Sequence, residues 1–276
     1  MKSVIVTGAS SGIGRAALTL FVERGWKVAA TARDPSSLPA SGPNVLPIAL
    51  DVTDGSSMSR GMAMVRETFG RIDVLVNNAG YGVFGPLEGA TMEEIERQFR
   101  TNVIGAVEMI RHVLPVMRAQ QDGTIVNVSS IGGRTAAPFA SLYHASKFAI
   151  EGLSESLRYE CSVHGIRVKL VEPAHFKTDF IRRSLRLVHH EAYEKQLRNY
   201  MEWVLEEDRK APSPEPVART ILKAAEDRSA KLRYPVKAGM ILALTRILPD
   251  AVWRPLMEGG MTRRPKKRSR RQGIEG

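Results

Sequence analysis

Short apolar runs, rich in β-branched residues, recur along this chain at 4–7, 27–31, 45–50, 72–77, 124–129, 167–171 and 231–234. Between them lie longer segments with a helical period, at 12–24, 56–69, 92–120, 142–164 and 216–227. A strand that is followed by a helix and then by a parallel neighbour sits in a sheet covered on both faces, so its residues are apolar throughout instead of alternating. Seven such strands joined by right-handed crossovers make a doubly wound α/β sheet.

The 276 residues, 43% hydrophobic and 25% charged, supply a core for one such domain, expected over 1–262. An insertion at about 179–214 precedes the last helix and runs into Pro212-Ser213-Pro214-Glu215-Pro216. Within it Tyr193, Leu197, Tyr200 and Val204 recur at helical spacing, as a helical lid requires. The net charge of +11 is uneven, because seven of the 40 basic residues, against a single Glu, fall in 263–276. That run of like charge repels itself and is expected to be a disordered, solvated tail on a mildly basic body. It has no interleaved aromatic residues and no apolar helical face, so neither nucleic acid nor a membrane is the expected partner.

The first strand runs straight into Thr7-Gly8-Ala9-Ser10-Ser11-Gly12-Ile13-Gly14 and then into the helical Arg15-Ala16-Ala17-Leu18. Glycines at 8, 12 and 14 let the backbone turn tightly and approach a pyrophosphate, held by free N–H groups and the positive end of the helix. Further on, Ser129-Ser130 ends a strand and Tyr143-His144-Ala145-Ser146-Lys147 opens a helix. Residues i and i+4 share a helix face, so Tyr143 and Lys147 lie side by side. A free tyrosine is about 0.1% ionised at neutral pH, and bringing its pKa to about 7 takes roughly 4 kcal/mol. An ammonium about 4 Å away, at an effective dielectric near 20, supplies about that much. The pair is therefore a candidate general acid and base. His144 points to another helix face and receives no role.

The Gly-x-x-x-Gly-x-Gly spacing is followed in order by Asp51-Val52, Asn77-Asn78-Ala79-Gly80, Asn102, Ser130, Tyr143 and Lys147. Over about residues 1–235 this set resembles the short-subunit branch of the short-chain dehydrogenase/reductase family, and is similar to its hydroxysteroid, retinol and carbonyl-reducing members. The resemblance implies a single Rossmann-type, doubly wound, seven-stranded parallel sheet with a helical substrate lid. It also implies an oxidoreductase that interconverts a carbonyl and an alcohol by exchanging hydride with nicotinamide. In that reading Tyr143 donates and accepts the proton, and Lys147 tunes it and holds the nicotinamide ribose. Ser130 hydrogen-bonds the reacting oxygen, and Asn102 anchors a water relay to the lysine. Gly8, Ser10, Ser11, Gly12, Ile13 and Gly14 would bind the dinucleotide, with Asp51 and Val52 at the adenine and Asn78, Ala79 and Gly80 along its turn. Pro173 and Thr178 would reach the carboxamide. Ala174 replaces the family's usual glycine, which would impose strain if the position required positive φ.

The second strand ends in Thr31-Ala32-Arg33-Asp34. An acid at this end accepts from the ribose 2′-OH of NAD, whereas an arginine pairs with a 2′-phosphate. Arg33 therefore favours NADP(H) over NAD(H), with Asp34 as a competing ion-pair partner. Phe84, Phe139, Phe176, Tyr193 and Trp203 either line a hydrophobic substrate pocket or pack the lid on the core. The helices at 92–120 and 142–164 match those that pair between subunits in the family, so a homodimer or homotetramer is expected; the same pattern also suits two helices covering one sheet face in a monomer. A regulator that senses NADP(H) on the same fold without chemistry is the alternative. The lone Cys161 cannot form an intrachain disulfide. No signal-peptide pattern precedes the first strand and no apolar stretch approaches the roughly 20 residues of a membrane span, so a cytoplasmic location is expected. His112, His164, His175, His189 and His190 lack metal-ligand spacing, and no metal is expected.

Overall fold

The computed structural model describes residues 1–38 and 42–262. Seven parallel strands form the central sheet: β1 (Ser3–Val6), β2 (Lys27–Ala32), β3 (Val45–Ala49), β4 (Val74–Asn77), β6 (Gly123–Val128), β7 (Ile166–Pro173) and β9 (Arg233–Val236). A separate pair, β5 (Gly82–Phe84) and β8 (Leu185–Leu187), makes a small parallel sheet of its own. The helices are α1 (Gly12–Glu23), α2 (Gly55–Phe69), α3 (Met92–Phe99), α4 (Gly105–Gln120), α5 (Ser141–Ser162), α6 (Glu194–Lys210), α7 (Glu215–Glu226), α8 (Gly239–Ile247) and α9 (Asp250–Thr262).

The sheet order is β3-β2-β1-β4-β6-β7-β9. The chain winds outward from β1 to β3, then returns to β4 on the other side of β1, which creates a crevice beyond the carboxyl ends of β1 and β4. Successive strand residues face opposite layers. Val4, Val6, Val28 and Val76 pack against Leu18 and Phe21 of α1 and Ile221 and Leu222 of α7. Ile5, Ala29, Leu75 and Ile125 meet Met58 and Met62 of α2, Met109 and Met117 of α4 and Leu157 of α5. A fully buried Leu, Ile or Met contributes about 1.5–3 kcal/mol, so these two layers hold the sheet edge in place beneath the crevice.

Several features depart from the sequence reading. The helix expected over 92–120 is broken by a π-helical turn at Arg100–Ile104 between α3 and α4. Extra residues in a helical turn commonly mark a functional site, and Asn102 sits in this one. The short β5/β8 pair and the helices α8 and α9 were not anticipated, and the last sheet strand begins two residues later than the apolar run that announced it. The insertion at 179–214 carries a second π-helical turn (Phe180–Ser184), β8 and α6, whose Leu197 and Tyr200 are buried. The reading of 263–276 as a disordered tail lies outside the described residues.

Candidate active site

The glycine turn stands at the centre of the crevice. Gly8 and Gly12 have φ of +65° and +52°, the left-handed region that glycine enters without strain. Gly14 is needed for a different reason, since a Cβ there would lie 2.2 Å from the Gly8 carbonyl oxygen and 2.5 Å from Asn78 Nδ2. Asn78 holds this geometry from the neighbouring strand end by donating to the carbonyls of Thr7 (2.9 Å) and Gly8 (3.2 Å). The Thr7 hydroxyl accepts from the backbone of Asn78 and Ala79 in return.

Ser11 caps α1 without a side-chain hydrogen bond, and the first turn of α1 contains no acidic residue. It contains Arg15 instead. The leading N–H groups and the positive end of this helix are thus uncompensated, a fit for the pyrophosphate of a dinucleotide. Ser10, Ser11, Gly12 and Ile13 are half-buried around the turn, with Ile13 packed on the core beneath. Thr178 closes the far side, its Cβ 3.1 Å from where a Gly12 Cβ would stand. An open groove of about 660 Å³ runs from these two residues between α1, α7 and the segment after β7.

The remaining cofactor candidates lie along the same edge. Arg33 is exposed at the end of β2. Asp34 makes no ion pair with it among the described residues; its Oδ1 accepts from the Ser36 backbone (2.9 Å) and hydroxyl (2.7 Å), which hold the carboxyl below the usual carboxylate range. Asp51 accepts from the backbone and hydroxyl of Thr53, and buried Val52 packs on Gly105 at the start of α4. Ala79 and Gly80 follow β4, with Gly80 against the Asn102 carboxamide. Pro173 ends β7. Ala174 donates to the Val236 carbonyl at 3.0 Å and is not among the residues with positive φ, so the missing glycine imposes no strain.

Ser130, Tyr143, Lys147 and Asn102 converge beside this turn. Tyr143 is half-buried, its ring packed against Phe84 (centroids 5.6 Å apart) and Phe180 (5.7 Å). Loss of hydration pushes its hydroxyl above the usual phenol range, and the neighbouring Ser130 opposes that shift. The expected lowering by Lys147 is not the dominant effect in this arrangement. The Lys147 ammonium is buried, donates to the Val128 carbonyl at 3.0 Å and stands 5.9 Å from the Tyr143 ring centroid. Burial lowers its pKa to about 8 against the opposing charge of Glu151. Asn102 accepts from Tyr81 N–H (2.9 Å) and donates to the Tyr81 carbonyl (2.9 Å) and Ser146 (3.0 Å). Its carboxamide thus ties the π-helical turn to the segment before β5.

Two functional features escaped the sequence reading. The first is His144, whose Nδ1 lies 2.8 Å from the Gly132 carbonyl while its Nε2 accepts from Ala137 N–H at 3.0 Å. Only the neutral tautomer protonated on Nδ1 makes both bonds, so this ring pins the loop after Ser130. The second is Phe180, which covers Tyr143. Phe139 is held at φ +55°, unusual for an aromatic residue, with its carbonyl accepting from Gly85 N–H and its ring against Tyr193 and Tyr200. Of the aromatic residues read as either pocket or packing, Phe176 belongs to the hydrophobic core and Trp203 packs on Tyr200 within the lid. Among the described residues no cluster of His, Cys, Asp or Glu could hold a metal ion, and no helix is long and apolar enough to cross a membrane.

Comparison with known proteins places this geometry in context. A family profile described as short chain dehydrogenase matches residues 2–186. An "uncharacterized oxidoreductase" of Schizosaccharomyces pombe is 43% identical over 212 residues, covering 76% of this chain and 90% of its own. A 3-ketodihydrosphingosine reductase of Bacteroides thetaiotaomicron is 43% identical over 177 residues, 64% of this chain and 65% of its own. Among solved structures, a short-chain dehydrogenase from Streptomyces avermitilis superposes with a TM-score of 0.80 at 34% identity, covering 93% of this chain and 95% of the other. One from Burkholderia cenocepacia in complex with NADP gives 0.74 at 26% identity, with 93% and 99% covered. One from Burkholderia phymatum in complex with NAD gives 0.76 at 25%, with 92% and 95% covered.

Proposed function

The chain belongs to the short-chain dehydrogenase/reductase family of oxidoreductases, and from that premise we propose that it interconverts a carbonyl and an alcohol with NADP(H), Tyr143 acting as general acid and base. The observation that carries the reading is the convergence of Ser130, Tyr143 and Lys147 beside a glycine turn whose helix end is uncompensated. When bound, a nicotinamide dinucleotide supplies or accepts the hydride.

In the reductive direction the Tyr143 hydroxyl gives its proton to the substrate oxygen while the Ser130 hydroxyl hydrogen-bonds the same oxygen. The Lys147 ammonium, 5.9 Å from the Tyr143 ring centroid, favours the phenolate left behind by charge attraction. The Asn102 carboxamide is committed to Tyr81 and Ser146, which fixes the π-helical turn beside Lys147. A cavity of about 10 Å³ bordered by Asn77, Asn102, Asn127 and Lys147 is near the smallest space that holds one water.

Relatives divide between NADP and NAD, so the preference for NADP(H) rests on residues of this chain. Arg33 is exposed, and the neighbouring Asp34 turns its Oδ1 to Ser36. A hydrophobic substrate is supported by Phe84 and Phe180 over Tyr143, by the aromatic lid contacts of Phe139, and by the lipid substrate in the name of the Bacteroides relative. Assembly as a homodimer or homotetramer through α4 and α5 is supported by exposed Phe148 and Tyr159 on α5 and by exposed Ile104, which ends the π-helical turn just before α4.

The test is titration of wild type and Tyr143→Phe with NADPH and NADH, followed by NADPH oxidation over a panel of ketones and aldehydes. The expected outcome is tighter NADPH binding by both proteins and turnover by wild type alone, with Tyr143→Phe at least about 100-fold slower. Failure of wild type to bind either dinucleotide overturns the reading. Binding by both without turnover on any carbonyl favours a non-catalytic regulator.

A further inference from the structure

The open groove that begins at Gly12 and Thr178 carries its charge unevenly. Four cations line it, Arg15 on α1, Lys177 and Arg182 on the segment after β7, and Arg219 on α7. Most of the acids along it are committed elsewhere. Ser213 holds the Glu215 carboxyl below the usual carboxylate range, and the Arg219 charge adds to this. Asp208 Oδ1 lies 3.0 Å from His175 Nε2. Glu23 stands at the other end of α1 from Gly12, about 16 Å away at the helical rise. Arg15, Lys177 and Arg182 are exposed and make no ion pair among the described residues, and neither does Asp179, the lining acid that follows Thr178.

The main chain fixes where these three cations start. Lys177 N–H donates to the Pro212 carbonyl at 2.8 Å, Phe180 N–H donates to the Thr178 hydroxyl at 3.3 Å, and Arg183 N–H donates to the Asp179 carbonyl at 2.7 Å. Arg182 belongs to the π-helical turn held in this way. Arg15 comes from the opposite wall, in the first turn of α1, and the two walls meet where Thr178 packs on Gly12. Three like charges around one opening repel one another, and the uncompensated positive end of α1 adds to them. A compact anion with more than one charge relieves that repulsion. Arginine suits such a partner because its planar fork gives two parallel hydrogen bonds to phosphate oxygens, and lysine adds a point charge.

We propose that Arg15, Lys177 and Arg182 form a cationic clamp on the diphosphate of the bound dinucleotide, closing on it from α1 and from the segment that carries Phe180. The proposal rests on the reading of the glycine turn as a nicotinamide dinucleotide site and adds side-chain charge to a site whose other donors are main-chain N–H groups. The diphosphate is common to NADPH and NADH, so the clamp sets the affinity for both, whereas Arg33 divides them.

The test is calorimetric titration of the full chain with NADPH, NADH and adenosine 2′-phosphate at low and high salt. Three variants accompany wild type: Arg15→Gln, the double variant Lys177→Gln with Arg182→Gln, and Arg219→Gln. Thermal melts without ligand control for folding. The Arg15 variant and the double variant are expected to lose about tenfold or more against both dinucleotides, as removal of a hydrogen bond to a charged group does. Their affinity should also depend less steeply on salt. Both should keep the wild-type affinity for adenosine 2′-phosphate, which has no diphosphate, and Arg219→Gln should match wild type throughout. Dinucleotide binding that is unchanged in the first two variants overturns the clamp and leaves the oxidoreductase reading standing. A loss confined to NADPH places these cations at the 2′-phosphate, an equal loss for adenosine 2′-phosphate reduces them to a diffuse field, and a loss with an unchanged salt dependence marks a structural role; each of these overturns it. Wild type that binds neither dinucleotide overturns the clamp together with the reading on which it rests.

Discussion

Lys147 and Glu151 stand one turn apart on the buried side of α5, and their titrations are linked. Burial pushes the Glu151 carboxyl up to about 7, and Glu172 adds to that; Arg233 opposes it, with the Ser129 hydroxyl alongside without a well-formed hydrogen bond. The Glu151 charge in turn sustains the Lys147 ammonium, whose pKa lies near 8. Glu151→Gln removes that support, so Lys147 deprotonates at lower pH. The alkaline limb of the kcat profile should move down by on the order of one pH unit, and an unmoved limb would dissociate Glu151 from the lysine. His144 titrates with the opposite consequence. Burial lowers its pKa below the ordinary histidine value of 6.5, so the unfolded chain takes up the proton first. Its contribution to stability is complete above about 6.5 and falls as pH drops below that value. His112 is lowered by burial as well and adds to the same slope. Replacement of His144 by Phe leaves Gly132 C=O and Ala137 N–H without a partner, at about 1–3 kcal/mol. Thermal melts from pH 5 to 8 should show a lower Tm for that variant and a shallower acid slope. The pairing of Tyr143 with Lys147 was legible in the sequence because i, i+4 spacing is local. The role of His144 was not, because its partners are reached only when the loop from 131 to 139 folds back over α5.

The turn between β1 and α1 and the lid over Tyr143 differ in how much of their geometry the chain announces. Three glycines between an apolar run and a helix are a local signal, and all three have identifiable causes in the fold. Gly14→Ala should force the Gly8 carbonyl and Asn78 apart, because the new Cβ would overlap backbone. Overpacking of this kind costs about 1–3 kcal/mol, and NADPH affinity measured by fluorescence titration should fall about tenfold or more while the far-UV spectrum is retained. An unchanged affinity would show that the turn is not where the dinucleotide binds. The π-helical turn at Asn102 and the three-residue strands β5 and β8 left no such trace. A single inserted helical residue does not disturb the apolar period enough to be seen, and three-residue strands fall below the length at which alternation can be read. They are nevertheless what brings Asn102 to Tyr81 and Phe180 onto Tyr143. Phe180→Ala should admit water to the Tyr143 hydroxyl and lower its raised pKa, moving the pH dependence of alcohol oxidation to lower pH.

For the molecule as a whole, the doubly wound parallel sheet followed from the alternation of runs and helices, since parallel neighbours with right-handed crossovers leave few arrangements. What lies on the outside was less legible, because an amphipathic helix covering a sheet and one pairing with another subunit share the same pattern. The described surface of α5 shows where a second copy could be tested for. Phe148, Gly152, Glu155 and Tyr159 form one exposed row at spacings of four, three and four, while Ile150, Ser154 and Leu157 turn inward. Gly152 lies in the interior of a 22-residue helix, where glycine costs about 0.5–1 kcal/mol relative to alanine. Apart from its own turn of helix, nothing lies within 4 Å of where its Cβ would stand, so no packed neighbour requires glycine there. A helix of a second copy crossing at this point would, since the absent side chain lets two backbones approach. Gly152→Leu should therefore lower the oligomeric mass measured by light scattering, and Phe148→Asp should do the same by placing charge in the contact. On a free surface the opposite would hold: Gly152→Leu would leave the mass unchanged and raise Tm through better helix propensity. The sign of the Tm change and the mass thus separate a subunit interface from a solvated helix.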